Sequence, residues 1–261
     1  MLRGIPARRI RSISPIRSQT AQNIRLIPQR LVPASPAPAI AKTHAKQMTQ
    51  DELATRIAKY MAAQFLVLDI HPDHRNIIYI EGMNTDFTLN ENDPDGWNDL
   101  SLILQHDADG VPQLVFVAPA TTEPGISSTF SPAARRLGGV ARIKLGQQQA
   151  WRMGYHRNAK YQNQHPALVQ CAPVLVHRDK NRDHKRQGDI IAQGYGINQH
   201  STNPHYTGGP VGGHSAGCLV RKLWSDHLQF LEILKADPRQ IADYKYVWKT
   251  TIIQGKELCS M

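Results

Sequence analysis

The chain has 261 residues, 41% of them hydrophobic, enough for one large domain or two small ones around an ordinary core. Its formal charge of +10 is uneven: residues 1–48 hold nine Arg and Lys and no Asp or Glu, leaving 22 cations against 21 anions elsewhere, so charge argues for an anionic partner only at that end. Cys171, Cys218 and Cys259 are too scattered for a disulfide scaffold or a paired C-x-x-C metal site, and no stretch approaches the roughly 20 apolar residues of a membrane span.

Residues 1–48 are broken by Pro6, Pro15, Pro28, Pro33, Pro36 and Pro38 and read as a basic, disordered arm or leader. The acid-free, Arg- and Ser-containing start, with Ile10, Ile13 and Ile16 at near-helical spacing, is also the composition of an organellar transit peptide. An anchoring arm, or a start codon placed too far upstream, gives the same pattern. The apolar core of a secretory signal is missing. Such an arm offers an anionic surface or a carrier particle salt-sensitive attraction, with no specific nucleic acid implied.

Thr49 followed by Glu52 fits a capping box, and Leu53, Ile57, Tyr60, Met61 and Phe65 recur at helical spacing, which predicts a helix over 50–66. Short Val- and Ile-rich runs follow at 76–81, 100–105, 113–117, 140–145 and 168–176, broken by Gly, Pro, Asn and Asp; they predict strands of a mainly antiparallel, loop-rich sheet. Leu228, Leu231 and Leu234 predict a helix over 225–235 that Asp237-Pro238 ends, and a last strand is expected at 246–253. The fold class is thus mainly β (α+β), one domain over 49–261 with a leading helix and one or two C-terminal helices.

The most informative stretch is GYGINQHSTNPHYTGGPVGGHSAGCLVRK over 194–222, with seven glycines, three histidines and one cysteine. Glycine at that density permits positive φ and lets backbone N–H groups approach a ligand. In Ser215-Ala216-Gly217-Cys218 the thiol sits on a tight turn, where the N–H groups of Gly217 and Cys218 are placed to meet a developing oxyanion. A thiol of ordinary pKa, about 8.5, needs an adjacent imidazole to take its proton, and His200, His205 and His214 are near in sequence. A cysteine among glycines also fits an inert buried thiol. Zinc held by these histidines and Cys218 matches no usual ligand spacing.

A strand ending in His200, a glycine-containing loop, then Ser215-x-Gly217-Cys218 followed by an aliphatic residue and an Arg resembles the L,D-transpeptidase (YkuD-type) catalytic domain of bacterial cell-wall enzymes, as a remote or variant member. The resemblance is specific over 194–221 and looser over 113–221, where Val117 to Gly125 looks like the strand and turn that line the family's substrate groove. It implies a β-sandwich or barrel, His200 as general base, Cys218 as nucleophile, Ser215 and Gly217 as motif residues, and acylation of Cys218 by a peptidoglycan stem peptide. The chain departs from the family's pattern at Ser201, where Gly-Thr is usual, at Ala216, and at Val220, which holds the family's Arg position while Arg221 comes one residue later.

His214, Arg221, Asn198, Trp151 and His156 are the candidate substrate-binding residues, His156 and His165 lying in a segment rich in aromatics and amides. No cofactor is required by this chemistry. Asp179, Asn181 and Asp183, with Asp189, begin like a calcium loop, but His184 takes the position that wants Gly and four cations are interleaved, so a charged hairpin turn is the competing reading.

The leading expectation is a cysteine acyltransferase on peptidoglycan peptides, at the cell envelope or delivered to it. Two alternatives stand beside it: a peptidoglycan peptide hydrolase of the lysin or delivered-effector kind, and a cell-wall-binding or structural module of the same fold.

Overall fold

The computed structural model describes residues 48–158 and 161–261. The basic arm expected over 1–48 lies, Met48 apart, outside the described residues. The first element is α1 (Gln50–Ala63), and its capping box is formed: Glu52 N–H donates to Thr49 Oγ1 (3.2 Å) and Thr49 N–H to the Glu52 carboxylate (2.8 Å). The helix ends short of the expected 66 because Phe65 takes φ +54 and leaves the apolar stripe, 96% exposed.

The strands are β1 (Asn76–Glu81), β2 (Asp99–His106), β3 (Pro112–Thr121), β4 (Val140–Ile143), β5 (Gly146–Asn158), β6 (Tyr161–Gln170), β7 (Val174–Asp179), β8 (Ile190–Gly194), β9 (Gln199–Ser201), β10 (Leu219–Arg221) and β11 (Trp248–Gln254). Eight close into a barrel in the order β1-β11-β5-β6-β9-β10-β3-β2, and β4-β7-β8 form a separate three-stranded sheet. Two pairs are parallel, β1 with β11 and β9 with β10; the other ladders are antiparallel, as the sequence led us to expect.

Alternation along β1 and β2 explains why both read as unbroken apolar runs. Ile77, Tyr79 and Ile103 point into the barrel with Phe116, Ala118, Leu168, Leu219 and Ile252. Ile78, Ile80, Leu100, Leu102 and Leu104 face outward and are covered by Leu53, Ala54, Ile57 and Met61 of α1. The C-terminal part adds α4 (Trp224–Lys235), α5 (Pro238–Ala242) and α6 (Gly255–Cys259), and two short helices, α2 (Ile126–Thr129) and α3 (Pro132–Arg136), precede β4.

Two expectations change. The run 168–176 is two strands in different sheets, broken at Cys171-Ala172-Pro173. And β5, the longest strand, escaped notice because it opens with Gln147-Gln148-Gln149; those amides serve the backbone of neighbouring segments, Gln147 at Val67, Gln148 at Leu175 and Gln149 at Val247. Among the described residues no helix is long and apolar enough to cross a membrane.

Candidate active site

The parallel ladder of β9 and β10 builds the site. Val220 is the register partner of His200, and Leu219 N–H donates to Asn198 O, so Asn198 and His200 share a face with Cys218 and Val220. The opposite face, carrying Gln199, Leu219 and Arg221, looks into the barrel, where Gln199 bonds the Tyr79 hydroxyl (3.2 Å) and Thr250 (2.8 Å). His156 and His165, register partners across β5 and β6, come to the same outer face as His200.

Three imidazoles therefore meet. The rings of His156 and His200 stack with centroids 4.0 Å apart and planes 13° apart, and His165 lies 5.1 Å from the first and 5.4 Å from the second. His200 is buried, and its Nδ1 lies 2.7 Å from the carbonyl of Ser201. A carbonyl only accepts, so Nδ1 carries the proton and Nε2 is the basic nitrogen. Burial first, then the neighbouring His156, holds the His200 ring well below the ordinary imidazole range, which leaves it neutral at pH 7.

Cys218 is 8% exposed. Its sulfur accepts the Asn198 N–H (3.4 Å) and its thiol proton rests on Gly196 O (3.4 Å). Burial pushes this thiol up to about 11, partly offset by the Asn198 N–H. At rest the Cys218 thiol and the His200 imidazole are thus both neutral.

The turn before Cys218 is held on three sides. Gly217 takes φ +121, and a Cβ there would lie 2.6 Å from Ala141 O of β4. Ser215 Oγ accepts the Gly217 N–H (3.1 Å) and donates to Cys218 O (2.8 Å). That contact corrects one expectation, since the Gly217 N–H is committed to Ser215 at rest and does not stand open as an oxyanion donor. Gly125, from the turn after β3, donates its N–H to Ser215 O (3.0 Å).

Of the expected substrate-binding residues, Asn198 and His156 are in the site, joined by a 3.0 Å hydrogen bond from the Asn198 amide to His156 Nδ1. His214 sits in the short 3-10 turn Gly212–His214, beside Trp97 and Tyr206, on the loop between His200 and Cys218; His205 is on the exposed part of that loop. Trp151 is elsewhere: fully buried inside the barrel, opposite Trp248 in register, with its indole N–H on Ile197 O (2.8 Å). Arg221 also points inward, fully buried over the Phe230 ring at 3.2 Å, its Nη1 donating to His227 Nδ1 (3.1 Å). An interior guanidinium on the face opposite Cys218 does not reach a substrate there.

Asp179, Asn181, Asp183 and Asp189 lie on the hairpin loop joining β7 to β8, the charged turn that was the competing reading. Two of the carboxylates serve the loop itself: Asp179 accepts the N–H groups of Asp183 and His184, and Asp183 accepts from Asn181 and Lys185. Among the described residues no group of three or more His, Cys, Asp or Glu is placed to hold a metal ion. The same loop sends Arg186 to Glu81.

Three neighbours escaped the sequence. His165 was noticed only as part of an aromatic segment, and Trp224 and His227 carried no signal. At the start of α4, Trp224 packs its edge on His165 (5.3 Å) while His227 Nε2–H donates to Pro166 O (2.8 Å). Comparison of the chain with protein-family models, with curated proteins and with solved structures gave no match.

Proposed function

We propose that the chain is a cysteine acyltransferase acting on peptidoglycan stem peptides at the cell envelope, its barrel a variant of the L,D-transpeptidase fold that its sequence resembles. The observation that carries this reading is the register of β9 and β10, which sets Cys218 and a neutral, Nδ1-anchored His200 on one face beside a strained glycine turn.

In the proposed reaction the Cys218 thiol leaves Gly196 O and gives its proton to His200 Nε2 as the sulfur attacks a peptide carbonyl. The S–C bond forms, the carbonyl oxygen becomes an oxyanion, and the C–N bond then breaks as the imidazolium returns the proton to the departing amine. A second amine attacks the thioester and displaces Cys218; water in its place gives hydrolysis. The neutral resting thiol makes His200 a general base within the step, in contrast to a preformed thiolate–imidazolium pair.

One observation favours a second reading, a binding module without turnover. The thiol is buried, held on Gly196 O and pushed up to about 11, as an inert core cysteine would be.

The two readings separate with an acylating agent whose ring strain drives the reaction, such as a carbapenem. The acyltransferase reading expects the intact reagent's mass on Cys218, none on Cys218→Ala, and a rate lowered about a hundredfold or more by His200→Gln. Folded protein that stays unmodified would leave only the binding module. Analysis of the muropeptides made from purified peptidoglycan then decides between amine and water as acceptor.

A further inference from the structure

Asn198 and His156 tie the nucleophile to the base. The Asn198 N–H donates to Cys218 Sγ (3.4 Å), and its side-chain oxygen accepts the Gln170 N–H (2.9 Å). That fixes the amide's orientation and leaves its nitrogen to donate to His156 Nδ1 (3.0 Å). His156 is accordingly the neutral, Nε2-protonated tautomer, and in that pose it lies flat on His200 at 4.0 Å.

Among the described residues the His200 ring has one hydrogen bond, from Nδ1 to Ser201 O. A single bond at one edge of an imidazole leaves the ring free to tilt about it. The flat contact with His156 removes that freedom, and His165, itself held by Trp224, closes a further side. We infer that His156, oriented by Asn198, is the positioning residue for His200, fixing the plane in which Nε2 meets the Cys218 thiol. The inference rests on the proposed Cys218–His200 reaction.

The electrostatics agree with the geometry. Among the described residues, the titratable groups that act on His200 are His156 on β5, His165 on β6 and His227 on α4. Burial and then His156 lower the His200 ring, His165 and His227 add to this, and the Ser201 carbonyl raises it. The cluster thus keeps its central imidazole in the base form.

The test is the rate of Cys218 acylation by a carbapenem, read by intact mass against pH, for wild type, His156→Ala and His156→Phe. Loss of the ring in H156A should slow acylation by about tenfold or more, since misplaced reacting groups lose rate steeply. H156F, which can stack without charge, should recover most of that rate, with its acid limb moved to higher pH because one neighbouring cation fewer opposes protonation of His200. H156A acylated at the wild-type rate, or H156F no faster than H156A at any pH, would overturn the inference. If H156A does not fold, H156F is compared with H156L, of similar volume, and equal rates overturn it. His200→Gln is run alongside: acylation at the wild-type rate there sinks the Cys218–His200 reading itself, whatever His156 does.

Discussion

A side chain on Gly125 would run into Gly212: the Cβ it lacks falls 2.0 Å from Gly212 O and 2.6 Å from Gly212 N. The turn after β3 is thus pressed directly onto the loop that leads to Cys218, and the Gly125 N–H bonds Ser215 O from the same place. Gly125→Ala must push the two loops apart, because backbone cannot yield as a flexible side chain can. Destabilisation of about 1 to 3 kcal/mol is expected, the usual range for overpacking. The melting temperature should fall and acylation of Cys218 should slow; an unchanged melting temperature would mean that the loops are not in contact.

That contact shows what the sequence could and could not disclose. Val117 to Gly125 was legible as a strand and turn near the site, and His200 and Cys218, singled out in the stretch 194–222, do come to one face of adjacent strands. The helix of 50–63 was legible from its capping box and stripe. Less visible was anything decided by register. Arg221 and Trp151 looked like groove residues by chemistry, yet β-strand alternation turns both inward, Arg221 because it falls one residue out of phase with Cys218 and Val220. His165, Trp224 and His227 come together from β6 and α4, about 60 residues apart, and no local spacing announces such a meeting.

The end of the barrel beneath that turn carries a titratable load. Glu81, Asp99 and Glu123 are all buried, with Arg186 on Glu81 and Arg142 on Glu123. Thr122 Oγ1 is 2.8 Å from both Glu81 Oε1 and Asp99 Oδ2. Its one hydrogen serves one of them, so the other contact is satisfied when Asp99 carries a proton and donates it to Thr122. Burial, then Glu81 and Glu123, push Asp99 from 3.8 up to about 8. A carboxyl raised in the folded state binds more protons folded than unfolded between those values. Its contribution is therefore full at low pH and is lost as pH rises through the window from about 4 to about 8.

Asp99→Asn isolates this effect from the histidines, which titrate in the opposite sense. The variant loses one bond at every pH, since an amide nitrogen cannot accept the Thr122 N–H that Asp99 Oδ2 now accepts. It should be least stable relative to wild type at low pH, with the deficit shrinking as pH rises. A melting-temperature difference that stays constant across the window would show that Asp99 is ionised throughout.

The chain contains its own control for thiol reactivity. Cys171 is exposed between β6 and β7, whereas Cys218 is buried with its proton on Gly196 O and its thiol pushed up to about 11. A simple alkylating agent such as iodoacetamide needs a thiolate and gives His200 nothing to protonate. It should modify Cys171 first, with Cys218 slower by about two orders of magnitude at neutral pH, as a thiolate fraction set by that shift requires. The carbapenem should reverse the order, since opening its ring gives the imidazolium a leaving nitrogen to protonate. Peptide mapping after each reagent checks this, and equal preference for Cys171 with both would count against acyl transfer at Cys218.

Arg221 gives the sharpest contrast between resemblance and structure. It is fully buried, no carboxylate among the described residues forms a direct salt bridge with it although the charge of Asp226 acts on it, and its Nε and Nη2 have no hydrogen-bond partner among those residues. Burial brings even a guanidinium down to about 10 there. Its favourable contacts are the faces of Phe230 and, at 5.5 Å, Tyr79, and the bond to His227. Replacing a buried charge that has no salt-bridge partner by an apolar side chain of similar length removes its desolvation cost, whereas truncation leaves a cavity. Arg221→Met should thus fold with an unchanged or higher melting temperature, the cost being the donor lost to His227 Nδ1. Arg221→Ala should be destabilised by about 2 to 5 kcal/mol. Because the guanidinium lies on the face opposite Cys218, R221M should still be acylated by the carbapenem. Folded R221M that takes up no label would return Arg221 to the substrate side and would sink the inward placement as an account of its role.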